Sequence, residues 1–305
     1  MHVYSDHGIA VVTVRRLKVL VTGASGQLGS DLIEKLSKRS HDVVAMNRSQ
    51  LDITNREAVS EAIKHHRPDV LINCAAMVNV DSCEIDIEAA FKVNALPLWQ
   101  MALVCNRVKT KLVQISTDYV FDGRKGSPYN ELDQPNPINI YGMTKLIGEL
   151  FVRNYCERHI IVRTAGLYGV HGSRAKRGNF VEFVITAAMR GEPLHVVTDI
   201  VTSPTFTADL AEKLCELIEA DAEGVIHVVN SGKCSWHEFA TYVLQLAGLS
   251  AEVMPISSEE LSRPARRPKF TALESVRLNE FNVKPLRWWG EAIRDYLMMK
   301  GILKS

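Results

Sequence analysis

A glycine-rich turn near the amino terminus constrains the fold more than any other feature of this sequence. Glycine stands at every third position, at Gly23, Gly26 and Gly29. An apolar, β-branched run precedes the turn at 17–21, and residues 28–36 follow it with the spacing of an amphipathic helix. A buried strand that passes through glycines into a helix is typical of the first β-α unit of a parallel sheet.

The same alternation of strand and helix continues along the chain. Further strands are predicted at 42–46, 69–73, 111–116, 159–164 and 225–229. Helices are predicted at 56–65, 85–107, 141–157, 180–190, 206–219 and 235–247. Pro97 is expected to interrupt the second of these helices. The pattern predicts an α/β fold with a doubly wound, Rossmann-like parallel sheet.

Composition excludes several classes of protein. Of the 305 residues 46% are hydrophobic, which suffices for a sizeable core. Lys and Arg total 36 against 35 Asp and Glu, so the charge balance indicates neither a nucleic-acid nor a membrane partner. No apolar run approaches the ~20 residues of a membrane span. The six cysteines lack metal-ligand spacing, so no metal site is indicated, and we expect a cytoplasmic protein.

The glycine turn also predicts a ligand site. Glycine lets a pyrophosphate approach the backbone closely, and the following helix N-terminus offers N–H donors and a favourable dipole. We therefore expect a dinucleotide here. The residues expected to contact it at the turn are Gly23, Ser25, Gly26, Gln27 and Leu28.

The end of the second predicted strand indicates which dinucleotide binds. A carboxylate there would favour NAD, but the chain carries Asn47 and Arg48. A guanidinium can bind a 2′-phosphate, so the sequence favours NADPH over NADH. The alternative is that Arg48 is a solvated loop residue. Asp52 and Ile53 follow, near the expected adenine, and Cys74, Ala75 and Ala76 at the next strand end complete the predicted cofactor site.

A tyrosine and a lysine supply a candidate acid–base pair. Tyr141 and Lys145 lie one turn apart on the same face of a predicted helix. A phenol with a pKa near ~10 is a weak acid–base group at neutral pH, and a nearby ammonium is expected to lower that pKa. Thr117 ends a predicted strand and is expected to hold the substrate oxygen in line with Tyr141. The combination predicts hydride transfer on a carbonyl or an alcohol.

The pattern along the chain also predicts its domains. Residues 1–16 are interpreted as a loose N-terminal extension. Residues 17–165 plus about 205–230 are predicted to form the dinucleotide-binding domain, called here the sheet domain. About 166–204 and 231–305 are predicted to form a smaller, discontinuous substrate-binding lobe, called here the second lobe, which closes over the cleft.

These motifs together resemble the extended short-chain dehydrogenase/reductase family, over nearly the whole chain from Lys18 onward. The matching stretches are 21–29, 73–76, 116–123 and 141–145, with Gly178–Phe180 and Arg267–Pro268 similar in the second lobe. The resemblance is closest to the dTDP-4-dehydrorhamnose reductase branch of that family. The run Ser116–Phe121 is its most specific piece.

The resemblance implies reduction of the 4-keto group of a dTDP-4-keto-6-deoxy-sugar by NADPH or NADH. Tyr141 would protonate the developing alkoxide, Thr117 would orient it and Lys145 would assist. Asn94 matches a family asparagine that supports the cofactor site. The residues expected to contact the nucleotide sugar are Val80, Thr117, Asp118, Asn179 and Arg267. Some family members use Mg²⁺ at a dimer contact, which the sequence does not indicate here; a monomer or a homodimer is expected.

Several alternatives remain open on the sequence. One is a non-catalytic, NADP-binding regulatory subunit that resembles the beta subunit of methionine adenosyltransferase. Another is a different nucleotide-sugar reductase or epimerase. The third places Tyr141 and Lys145 on the surface of an unrelated α/β fold. The chain departs from the reductase pattern at Gly166, where tryptophan is frequent, and in the segment 199–205, so the identity of the deoxysugar stays open.

Overall fold

The structure is a computed structural model that describes residues 3–4, 10–11, 15–172 and 178–303. Of the predicted N-terminal extension, residues 1–2, 5–9 and 12–14 lie outside the described residues. Two short strands within it, Val3–Tyr4 and Ala10–Val11, pair with each other in antiparallel fashion.

Strands and helices alternate through the first two thirds of the chain. The strands are β1 Val3–Tyr4, β2 Ala10–Val11, β3 Lys18–Thr22, β4 Asp42–Met46, β5 Val70–Asn73, β6 Lys111–Thr117, β7 His159–Thr164, β8 Leu167–Tyr168, β9 Leu194–Val197, β10 Val201–Thr202, β11 Thr205–Phe206, β12 Gly224–His227, β13 Asn230–Ser231, β14 Cys234–Ser235, β15 Val253–Ile256 and β16 Leu286–Trp288. The helices are α1 Gln27–Lys38, α2 Arg56–His66, α3 Val80–Ile85, α4 Ile87–Asn94, α5 Leu96–Val108, α6 Ile140–Tyr155, α7 Phe180–Met189, α8 Thr207–Glu219, α9 Trp236–Ala247 and α10 Trp289–Met299.

A six-stranded parallel sheet organises the fold, in the order β12-β7-β6-β5-β3-β4. The predicted doubly wound α/β sheet is confirmed. The chain starts at β3, moves outward to β4 and then crosses back to β5 on the other side of β3. Ligands bind beyond the carboxyl ends of the strands at such a reversal. The topology therefore places a crevice where β3 and β5 end, beside the glycine turn.

Apolar layers cover both faces of this sheet. On one face α1 and α8 pack against β3, β5, β6 and β7. On the other face α2, α5 and α6 pack against the same strands. Strand β6 is buried at every position, as expected for the middle of a sheet covered on both sides.

The predicted helix 85–107 is instead part of a run of three helices. The chain breaks at Asp86, whose side chain caps α4 by accepting a bond from the Ala89 amide (2.9 Å), and again at Ala95. Pro97 does not interrupt a helix, because it lies in the first turn of α5, where its missing N–H has no helical partner to lose. The predicted helix is therefore interrupted, as expected, but at Asp86 and Ala95 and not at Pro97.

Most of the chain beyond β7, apart from α8 and β12, builds a second layer of structure with its own short strands. Its short strands pair as β9 with β15, β10 with β14, β11 with β8 and β13 with β16. Its core is aromatic: Tyr168, Phe206, Phe239 and Tyr296 are buried against one another. Near the end of the chain Leu278 and Val283 pack on the core of the sheet instead. None of the helices in the described part of the chain is long and apolar enough to cross a membrane.

Candidate active site

A large cleft runs along the carboxyl ends of the sheet strands. Its volume is ≈ 2010 Å³, larger than the ~300–1,000 Å³ of an ordinary small-molecule pocket. Its walls come from the glycine turn, the ends of β4, β5 and β6, the first turn of α6, and the segments 178–202 and 258–271. The cleft therefore has room for two ligands side by side.

The glycine turn forms one end of this cleft. Gly23 has φ +67°, and a side chain there would press on the backbone of Cys74 and Ala75. Helix α1 begins four residues later without a side-chain cap and without an acidic residue in its first turn. Its free N–H groups and its dipole therefore face the cleft without an internal anion to compensate them.

Most of the predicted cofactor contacts line the cleft together. These are Gly23, Ser25, Gly26, Gln27, Leu28, Arg48, Asp52, Ile53, Cys74, Ala75, Ala76, Tyr141 and Lys145. The Arg48 side chain is 87% exposed and lies 3.7 Å from Asp52, so no buried partner holds it.

Two predicted cofactor residues do not line the cleft. The Asn47 side-chain oxygen Oδ1 accepts bonds from the amide and hydroxyl of Ser49 (3.0 and 2.7 Å) and so stabilises its own loop. Asn94 is buried behind the site, where it accepts a bond from the Met77 amide (2.8 Å) and donates to the Met77 carbonyl (3.0 Å). It also donates to the Thr144 hydroxyl (3.3 Å). Asn94 therefore fixes the backbone at Met77 relative to α6.

A row of polar side chains fixes the strand ends under the cleft. The Thr22 hydroxyl donates to the Asn73 side-chain oxygen (2.6 Å), and the Asn73 amide donates to Gln114 (2.8 Å). The same Asn73 oxygen accepts a bond from the Ala75 amide (3.3 Å). These bonds join β3, β5 and β6 and set the course of the segment Cys74–Ala76.

The first turn of α6 places the tyrosine. Asn139 caps this helix by accepting a bond from the Gly142 amide (2.8 Å). Gly142 allows close packing, because a Cβ at this position would collide with the Tyr119 carbonyl oxygen. The helix therefore rests on the turn after β6, and Tyr141 and Thr117 both face the cleft. The Tyr141 ring meets that of Tyr119 edge to face, with centroids 5.8 Å apart.

Burial dominates the protonation of the tyrosine and the lysine. Burial lowers the pKa of Lys145 to about 8, although the nearby Glu149 carboxylate opposes this shift. The Lys145 Nζ donates a hydrogen bond to the Ile115 carbonyl (2.6 Å). Burial also raises the pKa of Tyr141 above its ordinary value, and Thr117 opposes this shift. The sequence led us to expect a lowered Tyr141 pKa. Desolvation of the buried phenol outweighs the opposing hydrogen bond of Thr117, so Tyr141 is a neutral phenol at pH 7.

Thr117 and Asp118 lie beside this pair at the end of β6. The Thr117 hydroxyl donates to the Asp118 carboxylate (3.0 Å) and accepts a bond from the Tyr119 amide (3.2 Å). Burial raises the pKa of Asp118 to about 6, and the neighbouring Thr271 and Thr117 hydroxyls oppose it. A buried carboxylate that stays ionised at neutral pH is thus held next to the candidate acid–base groups.

The remaining predicted substrate contacts also lie along the cleft, but two of them are already engaged. The Arg267 guanidinium donates to both carboxylate oxygens of Asp81 (2.8 Å each). Asn179 caps α7 by accepting a bond from the Glu182 amide (3.0 Å) and donates to the Gly169 carbonyl (3.0 Å). Val80 lines the cleft beside Asp81. In this state Arg267 is paired with a protein carboxylate.

Sequence reasoning missed several cleft residues. They are Asp81, Tyr119, Thr202, Arg263, Arg266 and Thr271. The polar, basic composition of 257–271 was the available signal for three of them. Among the described residues no group of three His, Cys, Asp or Glu side chains could hold a metal ion.

Comparisons with known proteins agree on one family. The family model described as RmlD substrate binding domain matches residues 17–300. The chain is 38% identical over 280 residues to the spore coat polysaccharide biosynthesis protein SpsK of Bacillus subtilis, covering 92% of this chain and 96% of that protein. It is 39% identical over 287 residues to a dTDP-4-dehydrorhamnose reductase of Streptomyces griseus, covering 92% and 93%. A crystal structure of dTDP-4-dehydrorhamnose reductase from Bacillus anthracis in complex with NADP superimposes with a TM-score of 0.89 at 37% identity, covering 93% of this chain and 100% of that one.

Proposed function

The chain belongs to the RmlD substrate binding domain family, and on that premise we propose that it reduces the 4-keto group of a dTDP-4-keto-6-deoxy-sugar with NADPH. The reaction would convert dTDP-4-dehydrorhamnose to dTDP-L-rhamnose. Membership makes the chain an oxidoreductase of the extended short-chain dehydrogenase/reductase type. NADP and dTDP-4-dehydrorhamnose appear in the names of its relatives, and we propose that this chain uses the same cofactor and substrate.

One observation carries the proposal. Thr117 at the end of β6 meets Tyr141 and Lys145 of α6 in the same cleft as the glycine turn, which precedes α1. A surface position of Tyr141 and Lys145 in an unrelated fold would not bring them there. The pairing of a dinucleotide cradle with a buried proton donor is what carbonyl reduction needs.

The residues present fit a bound dinucleotide phosphate. Gly23 lets the glycine turn pack closely against the backbone of Cys74 and Ala75, which a Cβ would prevent, and the uncapped start of α1 supplies N–H donors for a pyrophosphate. Arg48 is exposed at the end of β4 and can pair with a 2′-phosphate, which favours NADPH. When bound, the reduced nicotinamide supplies the hydride for the sugar carbon.

The protein's own groups would supply the proton and the orientation. Tyr141 is protonated at neutral pH because burial raises its pKa, so it can donate a proton to the developing alkoxide. Thr117 is oriented by its bonds to Asp118 and to the Tyr119 amide, and its hydroxyl can hold the substrate oxygen beside Tyr141. Lys145, with a pKa of about 8, is mostly an ammonium at pH 7 and stabilises negative charge on that side of the cleft.

A turnover assay tests the activity. We expect oxidation of NADPH, and more slowly of NADH, when dTDP-4-keto-6-deoxy-L-mannose is added to the purified protein. Tight binding of NADPH without turnover of this substrate would contradict the proposal and favour the non-catalytic regulatory alternative.

Substitution of the tyrosine tests the mechanism. We expect Tyr141→Phe to lower kcat at least ~100-fold, the usual contribution of a positioned proton donor. Its affinity for NADPH, measured by fluorescence titration, should stay within about twofold. Tyr155→Phe is the matched control, because Tyr155 ends the same helix at a position 43% exposed and outside the cleft. Equal activity of Tyr141→Phe and Tyr155→Phe would exclude Tyr141 as the proton donor.

A further inference from the structure

The floor of the cleft carries buried hydroxyl groups that no protein group satisfies. Among the described residues six buried side-chain polar atoms lack a hydrogen-bond partner, and those of Gln27, Thr164, Thr202 and Thr271 belong to residues that line the cleft. Thr202 is 2% exposed and Thr271 1% exposed. Buried polar groups are almost always paired in native proteins, so a cluster of unpaired ones facing a cleft indicates a missing ligand.

The two threonines lie side by side in the second lobe. The Thr271 amide donates to the Val201 carbonyl (2.8 Å), so the strand that carries Thr202 runs next to the segment that carries Thr271. The Thr271 hydroxyl also lies beside the Asp118 carboxylate, where it favours the ionised form and lowers the pKa of Asp118. A polar strip therefore extends from Thr117 and Asp118, where the reaction is proposed, across Thr271 to Thr202.

Neighbouring hydroxyls in the same segment behave differently. The Ser203 hydroxyl donates to the Gly232 carbonyl (2.9 Å), and the Thr205 hydroxyl donates to the Ser203 carbonyl (3.0 Å). Neither residue lines the cleft. In this segment the hydroxyls of Ser203 and Thr205 therefore bond to protein, and only that of Thr202, which lines the cleft, lacks a hydrogen-bond partner among the described residues.

We propose that Thr202 and Thr271 are specificity-determining residues that bind the ring hydroxyls of the sugar next to the reacting carbon. This inference rests on the proposed function for the class of substrate. A hydroxyl both donates and accepts, so each threonine can pair with a sugar hydroxyl in either direction, whereas the Asp118 carboxylate accepts only. An array of one acceptor and two hydroxyls suits adjacent hydroxyls on a pyranose ring.

Binding measurements test the inference without requiring turnover. Calorimetry would compare dTDP-L-rhamnose with dTDP on the intact protein and on Thr202→Val and Thr271→Val, which keep the side-chain shape. The wild-type protein should bind the sugar nucleotide more tightly than dTDP. Each variant should reduce that preference roughly two- to tenfold, the effect of one hydrogen bond, and leave the affinity for dTDP unchanged. The melting temperature of Thr202→Val should be equal to that of the wild type or higher, because no protein hydrogen bond is lost. Thr271→Val also removes a hydroxyl that stabilises the Asp118 carboxylate, so its melting temperature should fall slightly at pH 7.

Thr205→Val is the control, because its buried hydroxyl bonds to protein and not to the cleft. It should lower the melting temperature and keep the preference for the sugar nucleotide. The inference is overturned if the wild type binds dTDP and dTDP-L-rhamnose equally, or if Thr202→Val and Thr271→Val keep the full preference. The protein could also fail to reduce the substrate and still prefer dTDP-L-rhamnose over dTDP through the two threonines. That result would overturn the proposed reaction and support the sugar-binding role.

Discussion

At the scale of single residues, the ionised Asp118 carboxylate in the cleft lowers the stability of the fold. The carboxyl is buried, and its pKa is raised from 3.8 to about 6. A raised folded-state pKa means that stability is fully present below the unfolded pKa and is lost as the pH rises through about 6. At pH 7 the protein therefore carries the whole cost of this charge, which is expected where a side chain serves a ligand.

Asp118→Asn should consequently stabilise the protein at pH 7 and impair its function. The amide keeps an oxygen that can accept the Thr117 bond but carries no charge, so the free energy of unfolding should rise by about 1–3 kcal/mol. Urea denaturation at pH 7 and at pH 5 would measure the gain, which should shrink at the lower pH. Lower stability at pH 7, or a gain that does not change with pH, would contradict this account of Asp118.

The residue scale also shows where sequence reasoning succeeds. Tyr141 and Lys145 were predicted to share a face because helical spacing is a local property. Their protonation was not predictable, since it depends on desolvation by residues distant in the chain. The same limit applies to Arg267, whose pairing with Asp81 joins residues far apart in sequence. Local patterns gave the candidates, and only tertiary contacts gave their partners.

At the scale of elements, the segment 262–268 forms the rim of the cleft and is fastened to the sheet domain at two points. Asp81, in the first turn of α3, binds Arg267 through two bonds and accepts one from the Ala265 amide (3.2 Å). Asn139, the cap of α6, donates to the Arg266 carbonyl (2.8 Å). The helix starts that shape the site therefore also hold the basic rim in place.

Release of this rim should weaken the binding of the nucleotide sugar alone. Asp81→Ala removes three bonds to the segment, so we expect KM for the sugar nucleotide to rise about tenfold. The Kd for NADPH should not change, because the glycine turn lies elsewhere in the cleft. Glu280→Ala is the control, since Glu280 pairs with Arg277 (2.8 Å) outside the cleft. A parallel loss of NADPH affinity would mean that Asp81 supports the whole cleft.

Element boundaries were predictable to different degrees. The sheet strands were found within two residues of their ends because each contains a short apolar run, which is fully buried in the central strands. The paired strands of the second lobe were mostly missed, since two-residue strands such as β10 and β14 show no periodicity. The breaks around α4 were missed because they depend on a cap at Asp86, which the apolar pattern does not reveal.

At the scale of the molecule, the proposed second lobe has no continuous chain of its own. Its aromatic core joins Tyr168 and Phe206 to Phe239 and Tyr296, and the chain returns to the sheet between these segments through α8 and β12. The Thr207 hydroxyl, in the first turn of α8, contacts both Asp31 of α1 and the carbonyl oxygen of Tyr168 (3.2 Å) and so joins this core to the sheet domain. We therefore expect the sheet domain and the second lobe to unfold together.

A buried ion pair in the sheet domain offers a test of that coupling. Glu149 of α6 accepts bonds from Arg163 of β7 (2.7 and 3.0 Å) and from the Ser116 hydroxyl of β6. Glu149→Ala leaves the buried guanidinium without its partner and should lower the free energy of unfolding by about 3–5 kcal/mol. The exposed Glu157→Ala should change it by less than about 1 kcal/mol.

The decisive measurement compares two probes of the same denaturation. Far-UV circular dichroism reports on all helices, whereas Trp236, Trp288 and Trp289 place most of the tryptophan fluorescence in the second lobe. If the lobes are coupled, Glu149→Ala shifts both midpoints by the same amount, although none of these tryptophans belongs to the sheet domain. A fluorescence midpoint that stays at the wild-type value while the dichroism midpoint falls would show that the second lobe is stable by itself. The cleft would then lie between two independently folding bodies, and closure over the nucleotide sugar would become a motion between domains.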